Sequence, residues 1–74
     1  MQPYRNLSGN SGVVAYEVGP EHIRIRFDND HVYTYDYRRP GRHHVEQMKR
    51  LATAGSGLCS YISQEVGKNF AYKA

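Results

Sequence analysis

The chain has 74 residues, enough for one small domain. Ten lysines and arginines against seven acidic residues give a formal charge of +3, a balance that favours a polyanionic or acidic partner without requiring one. The single cysteine, Cys59, excludes an internal disulfide and suits a reducing compartment. No apolar run approaches the roughly 18 residues of a membrane span, and the N-terminal residues lack the apolar segment of a signal peptide. We therefore expect a cytoplasmic protein that does not contact membranes.

The N-terminal residues are rich in Gly, Ser and Asn and show no hydrophobic periodicity. This composition predicts a flexible lead-in over residues 1–10. The chain has no internal repeat, so the rest, residues 11–72, is predicted to form a single domain.

Three segments in the first half of the domain have the composition of β-strands. Val13–Val18 is a first strand that Gly19 and Pro20 end. The segment 22–27 alternates strictly between polar and apolar residues, and 31–37 alternates again and is rich in β-formers. The turn residues between these two segments predict a hairpin.

The second half of the domain carries helical periodicity. Apolar residues recur at spacings of three and four residues from Val45 to Ala52, which indicates an amphipathic helix opened by Pro40 and ended by Gly55. A second, short helix follows Ser56. The predicted fold is therefore α+β, with a three-stranded antiparallel sheet covered by one main helix and a short second helix in the order β-β-β-α-α.

The hairpin allows two registers, which place its tyrosines on opposite faces. A two-residue turn at 29–30 pairs Arg26 with Tyr33 and joins arginines and tyrosines in a platform that stacks bases and contacts phosphates. A three-residue loop instead pairs Ile25 with Tyr33, so the tyrosines enter the core and the arginines face water. A shift of one residue turns every side chain to the other face. The sequence leaves both registers open, although a thin core that needs large aromatics favours the second.

The chain resembles the KTSC domain, a family of small bacterial proteins that also forms the C-terminal segment of some lysyl-tRNA synthetases. The motif Tyr33-Thr34-Tyr35, with alternating apolar residues before it and Pro40 after it, carries the resemblance, which extends from Ser11 to Phe70. Asp30 stands where the family usually has a turn glycine. The association with synthetases implies RNA binding, and the resemblance supplies no catalytic residue.

The densest basic segment is 38–44, which contains Arg38, Arg39, Arg42 and two histidines. It lies where the last strand of the hairpin meets the helix, and free backbone N–H groups there attract anions. Histidine and cysteine spacings match no metal-binding motif, and no nucleophile–base pair stands out around Cys59. We therefore expect no enzyme activity, metal or cofactor.

The resulting hypothesis is a small non-catalytic module that binds RNA, either tRNA or a single strand. A protein-interaction module that uses an exposed sheet edge or the basic surface is the alternative. The candidate nucleic-acid-binding residues are Arg24, Arg26, Tyr33, Tyr35, Tyr37, Arg38, Arg39 and Arg42.

Overall fold

In the residues that the structure describes, five strands form one antiparallel sheet, and two helices and a π-helical segment cover one of its faces. The structure is a computed structural model that describes residues 1–7, 9 and 11–74; Ser8 and Asn10, both in the predicted lead-in, lie outside the described residues. The elements are β1 (Gln2–Pro3), β2 (Val13–Val18), β3 (His22–Phe27), β4 (Val32–Asp36), α1 (Arg42–Ala54), α2 (Leu58–Tyr61), the π-helical segment Ile62–Val66 and β5 (Tyr72–Lys73).

The α+β class and the antiparallel sheet are confirmed, but the predicted number of strands is wrong. The sheet order is β1-β2-β3-β4-β5, so the predicted hairpin and first strand form its centre and two further strands flank them. Each outer strand has only two residues, too few for an alternating pattern to show in the sequence. The strand β1 lies in the predicted lead-in, and Tyr4 directly after it is buried in the core.

The hairpin between β3 and β4 has the three-residue loop. Ile25 pairs with Tyr33 and Ile23 with Tyr35, and the backbone N–H of Phe27 donates to the carbonyl of His31 at 3.0 Å. Since directly paired residues share a face, Tyr33 and Tyr35 lie on the same side of the sheet as the two isoleucines. An arginine–tyrosine platform built from the hairpin alone therefore does not form.

The helix α1 packs its buried side chains Val45, Met48 and Ala52 onto the sheet. It begins at Arg42, two residues after Pro40, and ends at Gly55, whose positive φ of 80° is readily adopted only by glycine. None of the helices in the described ranges is long and apolar enough to cross a membrane.

Apolar side chains of α2 and the π-helical segment complete the core. Leu58, Ile62 and Val66 are buried there, and the backbone N–H of Leu58 donates to the Tyr4 hydroxyl at 3.3 Å. This hydrogen bond joins the N-terminal residues to the second helix. The helices thus occupy one face of the sheet, and the opposite face is left to carry the polar side chains of β2, β3 and β4.

Candidate nucleic-acid interface

The sheet face that points away from the helices carries arginines and one tyrosine. Arg24 pairs directly with Thr34, and Thr34 pairs directly with Tyr72 on β5. Directly paired residues point to the same side of a sheet, so Arg24 and Tyr72 lie on one face with Thr34 between them. Tyr72 is 69% exposed. We call this face, with Arg26 included, the arginine face.

The two arginines of β3 are available to a ligand. Arg24 approaches Glu17 with 3.7 Å between guanidinium nitrogen and carboxylate oxygen, and both side chains are more than 40% exposed. Exposed pairs of this kind contribute about 0 to 1 kcal/mol, so a phosphate can displace the carboxylate. Arg26 is exposed and makes no ion pair with any residue that the structure describes.

The loop between β4 and α1 is held in a fixed shape by Asp36. Its carboxylate accepts hydrogen bonds from the backbone N–H groups of Arg38 at 3.0 Å and Arg39 at 2.8 Å. Its carbonyl accepts from the N–H groups of Arg39 and Gly41, and its own N–H donates to the carbonyl of Arg39. The exposed side chains of Arg38 and Arg39 therefore project from an ordered turn.

This turn meets the C-terminal strand at a shallow cleft. The cleft has a volume of about 390 Å³ and is lined by Asp36, Arg38, Arg39, Ala71 and Tyr72. The Arg39 Nε donates to the side-chain oxygen of Asn69 at 3.1 Å, which directs this guanidinium towards the C-terminal segment. Two arginines and an exposed aromatic ring thus line one cleft at the border of the arginine face.

Tyr37 and Arg42 do not line that cleft; Tyr37 packs against α1, and Arg42 is the first residue of that helix. The Tyr37 ring has the Arg42 guanidinium and the Lys49 ammonium each 5.7 Å from its centroid. Its hydroxyl donates to Glu46 at 2.8 Å, and this hydrogen bond is the main reason why the pKa of Tyr37 is raised. The pKa of Glu46 is lowered, first by its hydrogen bond with Lys49 and then by that with Tyr37. These contacts fasten the end of β4 to the helix.

Tyr33 and Tyr35 belong to an aromatic cluster on the helix side of the sheet. Tyr35 is only 2% exposed, and burial, with a smaller contribution from Tyr33, raises its pKa to about 12. The Tyr33 ring meets Phe27 and Phe70 edge to face, with centroids 5.3 and 4.8 Å apart. The buried Tyr35 ring cannot stack on a base, and the half-buried Tyr33 ring lies on the face opposite to the arginines. The structure therefore separates these two tyrosines from the arginines with which the two-residue turn would join them.

Sequence reasoning missed Tyr72 as a candidate residue. Its place on the arginine face depends on the pairing of β4 with a two-residue strand near the end of the chain. Such a short strand leaves no periodic signal in the sequence from which Tyr72 could have been found.

In the part of the chain that the structure describes, no group of three or more His, Cys, Asp or Glu side chains is placed to hold a metal ion. The Nδ1 atom of His44 lies 2.7 Å from the Tyr61 hydroxyl, which links α1 to α2. The pKa of Tyr61 is raised by burial and then by Glu65. Cys59 is half-buried and packs against the core.

Comparison with known proteins gives no relative for this chain. No protein-family model, no curated protein and no solved structure matches it. The resemblance to the KTSC domain therefore stays a prediction from the residues that carry it.

Proposed function

We propose that the chain is a small RNA-binding module whose ligand is a single-stranded segment. The observation that carries this proposal is the cleft in which Arg38, Arg39 and Tyr72 come together beside the arginine face. Proteins that bind single strands combine cations that follow the phosphates with aromatic rings that stack on bases. Here Tyr72 is the stacking residue, and the arginines contact phosphates.

The arginine face extends this site beyond a single nucleotide. Arg24 lies two strands from Tyr72 in the same row of paired residues, which corresponds to about 10 Å at the usual spacing of strands. Arg24 and Arg26 can therefore meet the phosphates of neighbouring nucleotides while the strand lies across the sheet. The predicted KTSC resemblance favours RNA over other polyanions, because that domain occurs in synthetases that act on tRNA.

The test is titration of the protein into labelled single-stranded RNA and labelled tRNA, followed by fluorescence anisotropy at low salt. Tyr72→Ala should weaken binding by about 1 to 3 kcal/mol, the usual contribution of one base–aromatic stack. Tyr72→Phe retains the ring and should bind as the parent protein does. Equal affinities for Tyr72→Ala and the parent protein would exclude Tyr72 as the stacking residue.

The alternative function is a protein-interaction module at the edge of β2. The strand β1 pairs with Ala15 and Tyr16 of β2, and Val18 near the end of β2 is 47% exposed. An added strand from a partner protein would extend the sheet there. Failure to bind RNA at low salt, together with self-association that Val18→Lys abolishes, would favour this alternative.

A further inference from the structure

A second cleft lies on the helix side of the sheet, away from the arginine face. It has a volume of about 510 Å³, within the range of about 300 to 1,000 Å³ that is usual for small-molecule sites. Lys73 and Tyr72 are neighbours on β5 and therefore point to opposite faces. Lys73 lines this cleft, whereas Tyr72 lines the one beside the basic loop. The two clefts are thus separated by the edge strand.

Aromatic rings form the apolar wall of this second cleft. Phe27, Tyr33 and Phe70 line it and are all only half-buried. Tyr33 contacts the other two rings at interplanar angles of 89° and 82°, and these perpendicular contacts fix its orientation. The cleft therefore presents ring surface whose orientation is set before any ligand arrives.

Cations lie at the mouth of the same cleft. The Lys73 ammonium is 5.7 Å from the centroid of the Tyr33 ring, and Lys68 also lines the cleft. A cation over an exposed ring is held weakly compared with a stacked base. A planar ligand can therefore displace the Lys73 ammonium from the face of the Tyr33 ring. The displaced ammonium can then contact a phosphate of the same ligand.

A π-helical turn positions Lys68 at the mouth of this cleft. The π-helical turn Ile62–Val66 ends at Gly67, which has a φ of 59° and donates its N–H to the carbonyl of Ile62 at 2.6 Å. Single π-helical turns occur frequently at functional sites. Here the turn directs the chain so that Lys68 and Phe70 reach the same cleft.

Polar groups of the hairpin loop form the remaining wall. The side-chain oxygen of Asn29 accepts a hydrogen bond from the backbone N–H of His31 at 3.0 Å, which leaves its NH₂ group as a donor. Asp28 adds an exposed carboxylate as an acceptor. A donor and an acceptor beside an aromatic wall match the edge of a nucleobase.

We infer that this cleft binds a free nucleoside monophosphate, with the base on Tyr33, the base edge at Asn29 and Asp28, and the phosphate between Lys68 and Lys73. An inorganic anion makes no use of the aromatic wall, so we expect it to bind less tightly than a nucleotide. The two lysines favour a ligand with a phosphate over a neutral nucleoside. The site does not depend on the RNA surface, because the two share no side chain.

The test is titration with AMP, adenosine and inorganic phosphate in separate experiments, monitored by aromatic and amide NMR signals. AMP should bind more tightly than either fragment and shift the ring signals of Tyr33 and Phe70. Lys68→Ala/Lys73→Ala removes two exposed charges and should weaken AMP binding about tenfold. Arg50→Glu lowers the net charge by the same two units at an exposed position of α1 and should leave AMP affinity unchanged.

Three outcomes would overturn the inference. Phosphate that binds as tightly as AMP would show a simple anion site, and equal weakening in Lys68→Ala/Lys73→Ala and Arg50→Glu would show a dependence on net charge alone. Binding of an RNA oligonucleotide but not of AMP at the Tyr33 and Phe70 signals would assign the cleft to RNA instead of a free nucleotide.

Discussion

The buried phenol of Tyr35 makes the stability of the fold depend on alkaline pH. Its pKa is raised from 10.0 to about 12, first by burial and then by Tyr33. The folded state thus holds the phenolic proton more tightly than the unfolded chain does. The stability from this group is fully present below pH 10 and is lost as the pH rises through 12. At 1.36 kcal/mol per pKa unit, two units correspond to about 2.7 kcal/mol of lost unfolding free energy.

The matched variants are Tyr35→Phe, which keeps the ring, and Tyr72→Phe, which changes an exposed tyrosine. Urea unfolding followed by circular dichroism at pH 8, 10, 11 and 12 gives the free energy of unfolding for each. We expect Tyr35→Phe to lose about 2 kcal/mol less than the parent protein between pH 10 and 12, because the full difference is reached only above pH 12. Tyr72→Phe should follow the parent protein. Tyr37 and Tyr61 titrate in all three proteins, so their contributions cancel. Identical alkaline profiles for Tyr35→Phe and the parent would refute the assignment.

Three further predictions concern the core, a helix end and an ion pair. Met48 is fully buried, so Met48→Ala should lower the unfolding free energy in urea by about 2 to 5 kcal/mol; a change below 1 kcal/mol would contradict its place in the core. At Gly55 the φ is +80° and an added Cβ would lie 2.8 Å from the Arg5 Cβ, so Gly55→Ala should destabilise the fold by more than about 1 kcal/mol in thermal unfolding. An unchanged midpoint would contradict that strain. The pKa of Glu46 is lowered, chiefly by its hydrogen bond with Lys49, so its contribution is present above the ordinary value of 4.5 and is lost as the pH falls through the lowered one. Glu46→Gln should therefore show a smaller loss of stability on acidification, and equal acid profiles would refute this.

The two hairpin strands and the main helix could be predicted from the sequence, because the spacing of their apolar residues matches the face that each of them buries. The alternation in 22–27 and 31–37 indicates strands that bury one face, and the spacing of Val45 and Met48 indicates a helix that buries one side. The outer strands were not predictable, because Gln2–Pro3 and Tyr72–Lys73 form only through pairing with strands distant in the sequence. Pairing of this kind is tertiary and leaves no local pattern.

The sequence predicts the charged residues of the candidate site but not its aromatic residue. The basic loop and the alternating arginines of β3 are visible in the sequence, and the structure exposes Arg26, Arg38 and Arg39. The identity of the aromatic residue on the arginine face, which we propose stacks on bases, depends on the hairpin register, and a single loop residue decides that register. The three-residue loop, with Asp30 at a φ of 68°, places Tyr33 and Tyr35 on the helix side of the sheet. The aromatic residue on the arginine face is therefore Tyr72.

The salt dependence of RNA binding tests the proposed function most directly. Each phosphate contact to a single strand should contribute about 0.7 to the slope of log affinity against log salt. Four contacts, from Arg24, Arg26, Arg38 and Arg39, therefore give a slope of about −2.8, since 4 × 0.7 is 2.8. Arg38→Ala/Arg39→Ala should reduce its magnitude by about 1.4, whereas Arg50→Glu, which lowers the net charge by the same two units, should retain it. No binding at low salt, or equal losses in these two variants, would contradict the account.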